Sequence, residues 1–340
     1  MTMDRAGQLR SMMGLEPWAV DSVEVTDDSV EIKGWALAPG GLVSSASFTI
    51  NDRRFEQILY PLPRADIERV FWYVPQSQMS GFVCRTPLRE DTFLDGHAVF
   101  KYINDRTGQP IREDHNYYYP DPAKDKVPFP DPERRKRSHG SRDEGTFRLE
   151  GYSAYVKLEL ALRRIFNLRY AHFSSILDWG CGCGRMTRYL KSLTEMGSAK
   201  ITGVDIDADS VRWCQLNLGF AQFCDVPLHP PTNLQDSAFD LLIGVSVFTH
   251  LSERAQFEWL NELKRVASQG AILLMTIHGE AAACRNPYMS GEHLDNLSRG
   301  SFLDAGRDSS LQSVVSDREY YRTAYHSCKY IRTHWSRYFE

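Results

Sequence analysis

The chain has 340 residues, 42% hydrophobic and 25% charged, with a formal net charge of -4. That length gives room for one large domain or two ordinary ones with buried cores, and the slight acidic balance gives no electrostatic ground for a nucleic-acid partner. No run approaches the ~20 apolar residues of a membrane span, and Met1 to Gly14 lacks a signal-peptide core, so a cytoplasmic protein is expected. The cysteines number seven, and Cys181 and Cys183 are separated by one residue, so reduced thiols are expected rather than a disulfide framework or a zinc site.

Residues near 20–104 read as short strands. Ser22–Thr26 and Val30–Trp35 alternate around the turn signal Asp27-Asp28, and Ala46–Ile50 runs into a second hairpin signal, Asn51-Asp52. Gly81–Arg85 and Ala98–Ile103 continue the pattern. An antiparallel β-sandwich of about 100 residues follows from this, placed at 1–116. From 117 to 145 the composition changes. Prolines 120, 122, 128, 130 and 132 lead into Glu133-Arg134-Arg135-Lys136-Arg137, which reads as an extended linker or solvated strap. Its basic run is also capable of meeting an acidic glycan or a phosphate.

From 146 to 340 the period changes. Tyr155, Leu158, Leu162, Ile165 and Phe166 mark one helix face. Strands are expected at Ile176–Asp178, Ile201–Val204, Phe239–Val245 and Ala271–Ile277, with helices over Met186–Leu193, Asp209–Leu218 and Glu253–Val266, the last capped by Ser252. Alternation of strand and helix at this spacing predicts an α/β fold: a Rossmann-like, doubly wound, mostly parallel sheet covered on both faces, with ligands at the carboxyl ends of its strands.

The stretch Ile176-Leu177-Asp178-Trp179-Gly180-Cys181-Gly182-Cys183-Gly184-Arg185 carries the most chemistry. An apolar strand ends in an acid and three alternating glycines, which let backbone turn tightly and approach a ligand. Gly203-Val204-Asp205-Ile206-Asp207 then ends the second strand in acid, where a ribose diol is gripped in a βαβ unit. A dinucleotide fingerprint needs G-x-G-x-x-G, and its third glycine would fall on Arg185, so a nucleoside without pyrophosphate is favoured over NAD. On these residues the chain resembles the class I S-adenosylmethionine-dependent methyltransferases. The resemblance implies S-adenosylmethionine as cofactor and S-adenosylhomocysteine as product. It implies that backbone at Gly180, Cys181, Gly182 and Gly184 lies against the methionine and ribose, and that Asp178 orients the amino-acid end. Asp205 then accepts the ribose hydroxyls, and Ile206 packs on the adenine. Cys224-Asp225 stands where relatives surround the adenine amino group, with Asp225 the better acceptor. Val245-Ser246-Val247-Phe248-Thr249-His250-Leu251 looks like the fourth motif of the family, in wording shared with sugar-modifying members.

Gly34-Trp35-Ala36, Pro63–Ile67 and Ser80-Gly81-Phe82 resemble a small β-domain found beside glycosyltransferases and sugar methyltransferases. The acceptor implied is a hydroxyl of a saccharide or glycoconjugate, with a small-molecule natural product as the alternative and a non-catalytic cofactor-binding module as the contrasting class. In-line methyl transfer to a hydroxyl rests on positioning and a base. His250 and His278 follow strand ends and are the two candidates, each with the alternative of a histidine packed beside the cofactor. A divalent cation would need clustered carboxylates. Glu280, Glu292 and Asp295 are available, but no spacing points to a site. Residues 279–324 read as a lid. Tyr325 to Trp335 reads as a helix, so the chain stops where the family's closing β-hairpin should begin. Truncation, dispensing with the hairpin, or its supply by another chain are the options, and an open sheet edge makes a homo-oligomer a candidate.

Overall fold

The computed structural model describes residues 18–37, 46–111, 115–308, 314, 315, 317 and 319–339; the segment weighed as a leader, 1–14, lies outside them. The chain divides into two compact units, the first comprising Met1–Lys126, Asp143–Ser153 and Cys284–Met289, the second Val127–Arg142, Ala154–Ala283 and Ser290–Glu340.

Among its described residues the first unit has the strands β1 (Trp18–Val25), β2 (Ser29–Ala36), β3 (Ala46–Ile50), β4 (Arg53–Arg54), β5 (Gln57–Leu62), β6 (Gly81–Pro87), β7 (His97–Asn104) and β8 (Tyr117–Pro120), and the short helix α1 (Ala65–Val70). They form two antiparallel sheets, ordered β1-β2-β6-β5 and β4-β3-β7-β8. Alternation aims Trp18, Ile32, Phe48, Phe82, Phe100 and Tyr102 into one shared core, which is the sandwich expected. Asn51 and Asp52 both take left-handed backbone (φ 47° and 64°), as a two-residue hairpin turn requires. The quoted motifs converge: Gly34 pairs with Phe82 and Trp35 with Gly81, while Trp35 packs on Phe71 and Ile67.

Two corrections fall on the expected linker. Tyr117–Pro120 is not linker but β8, paired with β7. The basic run is helical: α2 (Pro132–His139) starts with proline in its first turn, is capped by Asp131, whose carboxylate accepts from Glu133 and Arg134 N–H, and stops at Gly140. The long helix α3 (Glu144–Phe166) follows, with Asp143 accepting from the Thr146 N–H and hydroxyl.

The second unit is built on β9 (Ser175–Trp179), β10 (Lys200–Asp205), β11 (Gln222–Asp225), β12 (Phe239–Gly244) and β13 (Ala267–Met275). All adjacent pairs are parallel, in the order β11-β10-β9-β12-β13. The helices between them are α4 (Lys191–Glu195), α5 (Ala208–Asn217) and α6 (Glu253–Val266). Period-two alternation feeds two cores, one on each face. Ile176, Leu241 and Ile243 join Leu162, Leu190 and Leu193 on one side. Leu177, Trp179 and Leu242 join Trp259, Leu260 and Leu263 of α6 on the other. Each such fully buried aliphatic contributes about 1.5–3 kcal/mol. This is the Rossmann-like, doubly wound sheet. Strand order reverses between β9 and β12, so the crevice opens beyond their carboxyl ends.

The tail departs from expectation. The segment read as a lid holds α7 (Glu280–Arg285), α8 (Gly291–Ser298) and β14 (Phe302–Arg307). Tyr325 and His326 are not helical but end strand β15 (Arg322–His326), antiparallel to β14, and α9 (Cys328–His334) begins only after its cap, Ser327. The pair forms its own two-stranded sheet outside the five parallel strands. The reason is partnership: a short polar strand is specified by the strand beside it, not by its own pattern. Among the described residues, no helix is long and apolar enough to cross a membrane.

Candidate active site

The glycine turn is pinned to the neighbouring strand, since Gly180 and Cys181 N–H both donate to Val204 O, at 2.8 and 3.0 Å. Gly180 has φ +74°, and a Cβ there would lie 2.3 Å from Val247 Cγ2; only glycine holds both the conformation and the approach. Beyond the turn is an open cleft of about 1050 Å³ counted out to its mouth. All its lining residues belong to the second unit.

Two carboxylates stand at its floor. Asp178 is 2% exposed and accepts from the Thr187 hydroxyl. Burial pushes its pKa up to about 6; the nearby Asp205 charge adds to this, while the Thr187 bond and Arg185 oppose it. Asp205 accepts from Gly182 N–H (2.7 Å) and Asp207 N–H (2.9 Å), one on each oxygen. Burial raises its pKa too, against those backbone bonds. A carboxylate has about four lone-pair sites, so each oxygen keeps capacity toward the cleft. Ile206, Val226, Val247, Leu251 and Trp259 supply apolar surface around these acids. Trp259 Nε1 donates to the Tyr320 hydroxyl at 2.7 Å.

The other end of the cleft is aromatic. His250 ends the turn after β12, and its imidazole lies parallel to Tyr321 at 4.8 Å and 8°. Ser246, just after β12, takes φ +60° and donates its N–H to Thr276 Oγ1 at 2.7 Å. Left-handed backbone at a non-glycine residue is strain typical of functional turns. On the remaining wall, α2 presents Arg137 and Ser138. Arg137 reaches Asp207 (3.2 Å) and Asp209 (2.6 Å), and Arg134 also donates to Asp209.

The structure thus gathers Asp178, Gly180, Cys181, Gly182, Asp205, Ile206, Val245 and His250 around one cleft. Gly184 lies off it. It has φ +76°, and a Cβ would meet Leu218 at 2.4 Å, so its work is packing against α5. Cys224 and Asp225 are exposed at the end of β11, and the next residue, Val226, lines the cleft instead. His278 is outside the lining, its ring 6.3 Å from that of His250 and against Tyr325. Tyr320 and Tyr321, from the segment read as a lid, do line the cleft, whereas sequence reasoning missed Arg137, Ser138 and Trp259. Only the basic run 133–137, set against the acid pair Asp207 and Asp209, carried a signal for any of them. Among the described residues no group of three or more His, Cys, Asp or Glu is gathered to hold a metal, and none of the seven cysteines is in a disulfide.

Fold and cleft together define an α/β unit with a cleft at the carboxyl ends of its parallel strands, and comparison with known proteins bears on its class. Residues 177–275 match the family profile described as a methyltransferase domain. The chain is also similar to a TehB-like SAM-dependent methyltransferase from Corynebacterium glutamicum, at 19% identity over 52% of this chain and 96% of that one, TM-score 0.29. The plantazolicin methyltransferase BpumL, solved with a desmethyl substrate analogue and SAH, is 20% identical over 48% and 61% of the two chains, TM-score 0.35. Coclaurine N-methyltransferase, solved with N-methylheliamine and SAH, is 17% identical over 46% and 45%, TM-score 0.31. Over these last two the match spans less than two thirds of the solved protein.

The profile supports S-adenosylmethionine-dependent methyl transfer as the chemistry of the second unit. The cofactor of such a domain is S-adenosylmethionine and its product S-adenosylhomocysteine, and the residues present fit it. Asp178 and Asp205 both open onto the cleft, and ionised carboxylates there suit an ammonium group and a diol.

Proposed function

We propose that the chain transfers a methyl group from S-adenosylmethionine to an acceptor hydroxyl, the acceptor being a saccharide or glycoconjugate. The observation that carries the reading is the pair Asp178 and Asp205 at the carboxyl ends of adjacent parallel strands, on either side of a glycine turn that excludes side chains. Asp178 would meet the α-ammonium of the cofactor, and Asp205 would accept both ribose hydroxyls in charge-assisted bonds. Ile206 and Val226 would flank the adenine. When bound, the cofactor supplies a methyl group activated on a sulfonium. His250 is placed to take the acceptor proton, within a cleft whose Tyr321 face suits a flat or ring-shaped partner. The saccharide assignment is supported by the wording of the fourth motif and by the resemblance of the front β-domain.

Calorimetric titration with S-adenosylhomocysteine tests the reading, with NAD as control and Asp205→Ala beside the parent chain. Losing a charge-assisted pair of hydrogen bonds weakens binding by about 10- to 100-fold. Binding of NAD in place of S-adenosylhomocysteine would sink the proposal. Binding without methylation of any saccharide in a labelled-donor screen would instead favour a cofactor-binding module.

A further inference from the structure

Behind His250 stands a carboxylate that the sequence gives no reason to place there. Asp308 follows β14, 58 residues further along the chain than His250, and its Oδ2 lies 3.1 Å from His250 Nδ1. We propose that Asp308 is the positioning residue for His250, holding Nδ1 as the protonated nitrogen and leaving Nε2 to accept the proton of the methyl acceptor. The inference deepens the methyltransferase reading and rests on it.

Three observations carry it. First, Asp308 is held by the hairpin: its N–H donates to Tyr321 O at 3.1 Å, and Tyr321 in turn bridges to Leu251, the residue after His250. The base and its carboxylate are therefore tied to the same three-residue contact. Second, the imidazole is fenced on a face and an edge. Tyr321 stacks on its face, and Asp308 sits at its Nδ1 edge. Both His250 and Asp308 are only about a quarter exposed or less (24% and 20%), so the pair is partly shielded from screening. Third, the alternative neighbour is unsuited: the His278 ring lies 6.3 Å away at 76° and leans on Tyr325. The remaining charged groups on the cleft are Asp178, Asp205, Asp207, Arg137 and Arg185. The 3.1 Å contact has the reach of a charge pair without the alignment of a hydrogen bond. Catalytic contacts are often loose before substrate binds and tighten in the complex.

The chemistry follows from which nitrogen carries the proton. A neutral imidazole is a base only at its unprotonated nitrogen, and a carboxylate at Nδ1 fixes that nitrogen as the donor. The acceptor oxygen then gives its proton to Nε2 and forms the new C–O bond, while the methyl–sulfur bond breaks and its electron pair stays on sulfur. Hairpin β14–β15, outside the parallel sheet, thereby contributes to the reaction through one side chain.

Nitrogen-15 NMR of the histidine-labelled full chain reads the tautomer directly, with His250→Gln to assign the resonance. The neutral form of His250 should be mainly Nδ1–H. Asp308→Ala should return it to mainly Nε2–H, the form an unrestrained imidazole prefers, and Asp308→Glu should keep the parent pattern. S-adenosylhomocysteine affinity should stay within about threefold in Asp308→Ala and Asp308→Glu, since Asp308 stands behind His250. Mainly Nε2–H in the parent, or no change in Asp308→Ala, overturns the proposal. So does a loss of S-adenosylhomocysteine affinity of tenfold or more in Asp308→Ala, which would make Asp308 part of the cofactor site. A parent chain that does not bind S-adenosylhomocysteine defeats the methyltransferase reading instead, and the tautomer still decides whether the pair exists.

Discussion

Asp178 keeps its charge at a cost, because it is buried. Burial holds its pKa near 6, above the usual aspartate value near 3.9. The folded state therefore binds the proton more tightly than the unfolded chain. Stability from this group is full below pH ~4 and is lost as pH rises through ~6. The loss amounts to about 3 kcal/mol at most. Asp178→Asn should accordingly be more stable than the parent at pH 8 without cofactor, measured by urea unfolding. Ligand affinity runs the other way. A cationic amino group selects the ionised carboxylate, so S-adenosylhomocysteine should bind the parent more tightly as pH rises from 5 to 7. The asparagine variant should bind more weakly and with a flat profile over that range. An equally steep profile in the variant would assign the titration elsewhere.

At the scale of elements, the wall that sequence missed is the one to test. Helix α2 lies over the glycine turn, with Ser138 Cβ 3.2 Å from where a Gly182 Cβ would be. It is tied to the start of α5 through Arg134 and Arg137, on Asp207 and Asp209. The exposed pairs on Asp209 add at most about 1 kcal/mol each to stability, yet with the partly buried pair on Asp207 they hold one side of the cleft. Arg137→Ala should speed S-adenosylhomocysteine dissociation by roughly 3- to 10-fold, since such changes fall mainly on the off-rate. The gap should narrow at high salt, where exposed charges are screened. Stopped-flow release at two ionic strengths checks both. What was legible in the sequence was local. The strands Ile176–Asp178 and Ile201–Val204, their terminal acids and the glycines between them lie within thirty residues, and period and composition reveal them together. Tyr320, Tyr321 and Arg137 reach the cleft, and Asp308 reaches His250, through long-range packing that leaves no periodic trace. Val226 was missed for a smaller reason: β11 is only four residues long, so its end could not be fixed to the residue from pattern alone. The tail failed likewise, because Arg322–His326 becomes a strand through its partner Phe302–Arg307.

The whole molecule cannot be cut where its composition changes. The second unit resumes at Val127, but Asp143–Ser153, the start of α3, belongs to the first. Leu149 sits in the sandwich core with Trp18 and Phe100, fully buried, and Phe147 is equally buried. A fragment spanning 127–340 would carry both side chains without the rest of the first unit, whose strands cover Leu149. Exposing the pair costs roughly 3–6 kcal/mol, at about 1.5–3 each, and leaves an apolar patch of the kind that associates. That fragment should therefore aggregate or run as large species on gel filtration. The cleft, by contrast, draws every lining residue from 127–142, 154–283 and 290–340. The same fragment with Phe147→Lys and Leu149→Gln should become monodisperse and regain S-adenosylhomocysteine binding within about tenfold of the full chain. Binding by the unmodified, monodisperse fragment would show that α3 does not need the sandwich. A soluble double variant that does not bind would mean that the first unit shapes the cleft through something other than its lining.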